Sequence, residues 1–126
     1  MPDGRRDADY LEDLCEAMCR IQHYTSALSY EGFLRETIVQ DAVVRNLTII
    51  GEATKRLSVA LRRAHPEIPW RNMAGMRDRL THDYFGINHD IAWTVAHGEV
   101  PMLHPQLEKL LTEAQSPLRE TQDGQT

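Results

Sequence analysis

Residues 37–64 read TIVQDAVVRNLTIIGEATKRLSVALRRA, and the spacing of their apolar side chains decides the fold. Val43, Leu47, Ile50, Thr54, Leu57 and Leu61 follow one another at alternating steps of four and three. That is the period of one buried helix face. Ile49, Ala53 and Ala60 widen the stripe, and Thr54 is its one polar member. Thr37 and Gln40 have the spacing of a capping box, so the helix is expected to start at Thr37. It is expected to end near Ala64, before His65-Pro66. Gly51 and Ala53 are small enough to let a second helix come close.

Upstream, Leu11, Leu14, Met18 and Ile21 mark a first helix from Asp7 to Tyr24. The stretch from Ser26 to Glu36 reads as a connection, with a short turn around Gly32 and Phe33. Downstream, Pro69 suits the first turn of a third helix running to Phe85, with Gly86 as its stop. Asn88 suits the cap of a fourth helix through Ile91, Trp93 and Val95, ending at Gly98. Pro101 would open a fifth, with Leu103, Leu107, Leu110 and Leu111 inward. No strand pattern and no internal repeat is visible. The expectation is an all-α antiparallel bundle of about five helices, one domain over residues 1–114 and a polar tail over 115–126.

The chain has 126 residues, 41% hydrophobic and 26% charged, which suits a single folded domain rather than a disordered one. No apolar run reaches the roughly 18 residues of a membrane helix. MPDGRRDADY lacks the apolar segment of a secretory signal, so the expected location is cytoplasmic. Cys15 and Cys19 lie about one turn apart on a helix face. They read as small buried hydrophobes, with a metal pair as the alternative. Trp70 and Trp93 read as core or interface anchors.

The third helix carries MRDRLTHDYFGIN, residues 76–88. Its expected apolar seam is Trp70, Met73, Arg77, Leu80 and Tyr84, so a guanidinium falls in a core-facing slot. A buried charge needs a partner, and Glu52 on the neighbouring helix is one candidate. The seam also offers more apolar surface than a small bundle uses, which points to a homodimer. On a regular helix Arg77 and Tyr84 lie within about 20° of each other, and His82 about 140° from Arg77. They can converge on one anion only through side-chain length, the helix end or a second copy of the chain.

Arginine and histidine suit phosphate chemistry. A guanidinium forks onto two phosphate oxygens and stabilises charge developing on phosphorus. An imidazole exchanges protons near neutral pH and can serve an RNA 2′-hydroxyl or a leaving 5′-oxygen without a metal. The net charge of −5 argues against a general nucleic-acid coat. Between Gly51 and His82, however, seven basic residues stand against Glu52, Glu67 and Asp78, which permits a local anion site. Solvated helix faces and a capping role for His82 remain the alternative. His82 and His89, with Asp83 and Asp90, could at most form a weak metal site, and none is expected. His65, His97 and His104 read as surface or capping residues.

These stretches also carry a resemblance. AVVRNLTIIGEATKRLS (42–58), HPEIPWRNMAGMRDRLTHDYFGIN (65–88), AWTV (92–95) and the VP before the fifth helix resemble the HepT-like toxins of the HEPN superfamily. The resemblance spans roughly Leu11 to Leu111. It implies an all-helical homodimer in which two motifs face one cleft and cleave RNA without metal or other cofactor. The motif arginine, polar residue and histidine correspond to Arg77, Asp78 and His82. It further implies an MntA-like nucleotidyltransferase antitoxin that transfers AMP to Tyr84. A non-catalytic helical partner that binds nucleotide or RNA, or docks a transferase, is the alternative. The role of His89 stays open.

Overall fold

The computed structural model describes residues 5–82 and 86–116, with His82 described in its backbone only. The Pro117–Thr126 tail and Asp83, Tyr84 and Phe85 lie outside the described residues. Helix α1 spans Asp7–Thr25 and α3 spans Thr37–Arg56, and α1 packs along both α3 and α8, Val100–Gln115. The expected stripe of α1 is the core: Leu11, Leu14, Met18 and Ile21 are fully buried. Val43, Leu47, Ile50 and Thr54 meet it from α3, and Leu107 and Leu110 from α8. Thr54 resolves its polarity locally, its hydroxyl donating to the Ile50 carbonyl at 2.7 Å.

The expected 26–36 connection contains a helix, α2, Tyr30–Arg35, capped by Ser29 accepting from the Gly32 N–H at 3.0 Å. The capping box expected of Thr37 and Gln40 does not form. Glu36 occupies the cap position, and the Gln40 amide donates to the Phe33 carbonyl instead. The long helix expected to reach Ala64 breaks at Leu57, and α4 covers Val59–Ala64. The cause is a competing acceptor. Asp7 takes both the backbone N–H of Ser58 at 2.8 Å and its hydroxyl at 2.6 Å. Ser58 then caps α4 by accepting from the Leu61 N–H.

The expected third helix is two short ones, α5 Trp70–Ala74 and α6 Met76–Leu80, parted at Gly75. It ends at Leu80 rather than Phe85. Against the expectation of no strand, β1 Thr81–His82 pairs antiparallel with β2 Gly86–Ile87. Asn88 caps α7, His89–Thr94, as expected, its side-chain oxygen accepting from Ile91 N–H. The helix does not stop at Gly98. Residues Val95–Glu99 widen into a π-helical segment that runs straight into α8. Pro101 has no N–H for the His97 carbonyl and its ring crowds that turn. The wider turn, with Val100 N–H bonded to the Val95 carbonyl, lets the helix pass.

Candidate functional site

Three contacts place the motif. Trp70 fixes the start of α5, its indole N–H donating to the carbonyls of His65 at 2.9 Å and Arg62 at 3.1 Å. Gly51 then lets the α5–α6 junction settle onto α3. A Cβ there would stand 3.2 Å from Met76 Cβ and 3.4 Å from the Met73 carbonyl. The end of α6 is held by Thr81, whose hydroxyl donates to the Arg77 carbonyl at 2.9 Å.

The break at Gly75 changes the seam. Trp70, Met73, Met76 and Leu80 are buried, and Arg77 is exposed. Met76 takes the slot expected for Arg77, because the non-helical dihedrals of Gly75 re-phase the turn that follows. The premise of a guanidinium in the core is therefore wrong. Arg77 is exposed, and an exposed guanidinium needs no compensating carboxylate. Among the described residues its side chain makes no hydrogen bond and no ion pair. Asp78, the next residue, is likewise exposed.

Glu52 is not brought to Arg77. It is exposed, 3.9 Å from Lys55, and lines a shallow depression with Arg5, Tyr10 and Asp13 on the α1 side of α3. One residue of helix turns it about 100° from Gly51, the side that meets α5 and α6. His82 sits on β1, opposite Gly86, with Thr81 opposite Ile87. A further backbone bond, Asn88 N–H to the Leu80 carbonyl at 2.7 Å, closes the ribbon. Arg77 and His82 thus lie on either side of a helix end, and the 140° separation of a regular helix does not apply. Tyr84 lies outside the described residues.

A contact absent from the sequence reading joins the motif to the π segment. Arg79 forks onto Glu99, Nη1 to Oε1 at 3.1 Å and Nη2 to Oε2 at 2.7 Å. Opposite charges 20 residues apart carry no local signal that would have paired them.

The remaining candidates sit apart. His89 is partly buried and edge-on to Phe33. His97 is exposed and stacked on the partly buried Trp93, ring centroids 4.5 Å apart. His65 lies 3.5 Å from Glu67, and His104 bridges Gln22 and Glu108 between α1 and α8. Both cysteines are free. Cys15 is buried as expected, but Cys19 is exposed, one position beyond the stripe. Burial, and next the charge of Glu108, push the Cys15 thiol up to about 12. Among the described residues no group of three His, Cys, Asp or Glu converges as a metal site. No described helix is long and apolar enough to cross a membrane.

Residues 14–110 match the family described as Ribonuclease HepT-like. A Thermococcus cleftensis protein named "Probable ribonuclease HepT" is 45% identical over 106 residues, covering 84% of this chain and 96% of its own. A Caldanaerobacter subterraneus protein whose name proposes an RNase is 38% identical, over 81% of this chain and 91% of its own. A third, from Methanocaldococcus jannaschii and also named as a proposed RNase, is 38% identical over 81% and 84%. No solved structure matches. With the family spanning α1 to α8 and every piece of the motif inside it, this chain belongs to the HepT-like ribonuclease family.

Proposed function

We propose that the protein is a metal-independent endoribonuclease, the toxin of a toxin–antitoxin pair, acting in the cytoplasm as a homodimer. The observation that carries this reading is Arg77. It is an exposed guanidinium on α6 with no partner among the described residues, placed just before the strand that bears His82. Its fork is open to a phosphate, and no ion pair with a described residue has to be broken first.

In the proposed reaction Arg77 holds two non-bridging oxygens of the scissile phosphate. His82 takes the proton of the 2′-hydroxyl, and the 2′-oxygen attacks phosphorus. The 5′-oxygen leaves with a proton from an imidazole, supplied by the second protomer or by the same one after exchange. The products are a 2′,3′-cyclic phosphate and a free 5′-hydroxyl. Asp78 orients the arginine or the histidine. Control acts at Tyr84. Its phenolic oxygen gives its proton to a base of an MntA-like nucleotidyltransferase and attacks the α-phosphorus of ATP there, and pyrophosphate leaves. The AMP adds a phosphate that competes for Arg77.

The experiment is RNA cleavage by purified protein in EDTA. Wild type is expected to cleave, and Arg77→Ala and His82→Ala to lose on the order of 10²-fold or more with unchanged melting. Loss of wild-type cleavage in EDTA would sink the metal-independent mechanism. Co-expression with the transferase should silence wild type and spare Tyr84→Phe. The net charge of −5 supports a second reading, a non-catalytic partner that binds nucleotide or RNA or docks a transferase. Binding of RNA without cleavage would select it.

A further inference from the structure

We propose that Arg79 and Glu99 are positioning residues that set the direction in which Arg77 points. The inference rests on the ribonucleolytic role proposed for Arg77.

Helix α6 has five residues, barely more than one turn. A helix that short does not hold its own orientation in water. Before it lies Gly75, outside regular helical geometry at φ −86° and ψ 17°, and after it the chain turns extended at Thr81. Neither neighbour continues its axis. Burial of Met76 and Leu80 presses α6 onto the bundle. Apolar contact alone, however, tolerates rocking about the helix axis, because it has no preferred angle. The directional restraint is the double hydrogen bond from Arg79 to Glu99, two parallel contacts in one plane.

Arg77 and Arg79 are two residues apart, about 200° around the helix. Holding Arg79 against the π segment therefore turns Arg77 to the opposite, open side. The exposure of the two residues agrees: the Arg79 side chain is 28% exposed, whereas Arg77 is an exposed residue. Glu99 is the last residue of the widened stretch Val95–Glu99. Trp93 and His97 stack on the side of that helix facing α2, next to Tyr30 and Phe33. Glu99 leaves on the side facing α6. The same segment ties the far end of the motif, since the Asn88 N–H just before α7 donates to the Leu80 carbonyl and Ile87 lies opposite Thr81. One continuous helix thus holds both ends of the short segment that presents Arg77 and His82.

The test compares Glu99→Gln, Arg79→Lys and the exchange pair Arg79→Glu with Glu99→Arg. Two readouts are taken: cleavage kinetics and the NMR signal of the Arg77 side-chain Nε–H. Misplacing a phosphate clamp by about 1 Å costs up to roughly 10²-fold. The single variants are expected to lose about 10-fold or more in kcat, with KM changed less than about 3-fold. Their Arg77 signal should move, and the exchange pair should restore both readouts. Single variants that keep the wild-type kcat and an unmoved Arg77 signal overturn the inference. So does an exchange pair that restores melting but not kcat, which would mark the fork as merely structural. If wild type itself does not cleave, the ribonuclease reading falls. The Arg77 signal in Glu99→Gln still decides whether the fork sets its direction.

Discussion

Helices α3 and α8 are held on α1 through side chains that solvent does not reach, whereas the stretch from Trp70 to Glu99 hangs on a handful of named contacts. In the bundle Leu11, Leu14, Met18, Val43, Leu47 and Leu107 are each fully buried and belong to one core cluster. Position there is over-determined. In the motif segment the Trp70 indole, the Gly51 contact, the Thr81 hydroxyl, the Leu80–Asn88 bond and the Arg79–Glu99 fork each do a separate job. The difference teaches that a change in the first part should cost stability without redirecting anything. A change in the second part should redirect a side chain at little cost in stability.

The sharpest separation is between Leu47→Ala and Arg77→Ala. Leu47 is fully buried at the α1–α3 contact, and such truncations cost about 2–5 kcal/mol. Denaturant unfolding should show that loss, while the cleavage rate per folded molecule stays within about two-fold. Arg77→Ala should do the reverse, because an exposed residue carries little folding energy. A Leu47→Ala protein that cleaves as poorly as Arg77→Ala while still folded would break the distinction.

Gly51 lies where the two parts meet, so a substitution there should show both effects at smaller size. A methyl group would already stand 3.2 Å from Met76 Cβ and 3.4 Å from the Met73 carbonyl. The two further carbons of valine have less room still. Overpacking of this kind costs about 1–3 kcal/mol. Helix α3 is twenty residues long and locked against α1, whereas α5 and α6 have five each, so the short helices should move. Gly51→Val is expected to lower stability by that amount and to slow cleavage more than Leu47→Ala does. A variant with wild-type rate would mean that α6 is not carried on this contact.

What could be read from the residues alone follows the same division. The stripes of α1, α3 and α8 are long and periodic, and burial rewards the periodicity directly, so the helical bundle was visible. The breaks were not. Leu57-Ser58 interrupts a continuing apolar row because Asp7, 51 residues away, competes for the Ser58 donors. A single helix expected from Pro69 to Phe85 passes through Gly75 without a break, and that carries Arg77 into the core and His82 onto the helix. Both errors come from extending one period across a position where tertiary contacts reset it. The motif was found by residue type and order, which survive such a shift. Its geometry was not, because the direction of Arg77 depends on Glu99 and Gly51, neither of which is local to it. Cys19 and Glu52 failed for a simpler reason. Each lies one position beyond a stripe, and one position is about 100°.

The smallest expected effect belongs to the bundle and depends on pH. Cys15 is 5% exposed, and its thiol is pushed up from an ordinary value near 9 to about 12, by burial first and then by the negative charge of Glu108. The folded protein thus holds this proton more tightly than the unfolded chain. Below about pH 9 both states keep the thiol protonated, and the contribution to stability is fully present. Between about 9 and 12 the unfolded chain releases the proton and the folded protein does not. Stability then falls with rising pH, by at most about 1.4 kcal/mol per unit. Lysines and tyrosines also titrate in this range, so the wild-type slope alone would not identify the source. The comparison is with Cys15→Ala, which removes the thiol and leaves the other groups. Its stability should be lower at pH 8, because a small cavity is made, and should decline less between pH 9 and 10.5. The two curves are expected to converge by about 1 kcal/mol over that interval. Glu108→Gln removes the second cause and leaves the first, burial, so the decline should still begin near pH 9, where the unfolded chain releases its proton, but should end at a lower pH than in wild type. Cys19 is exposed and serves as the control, so Cys19→Ala should run parallel to wild type throughout. Parallel curves for wild type and Cys15→Ala would show that the thiol is not sealed in the bundle. The over-determined packing claimed for α1 and α8 would then have a gap at this position.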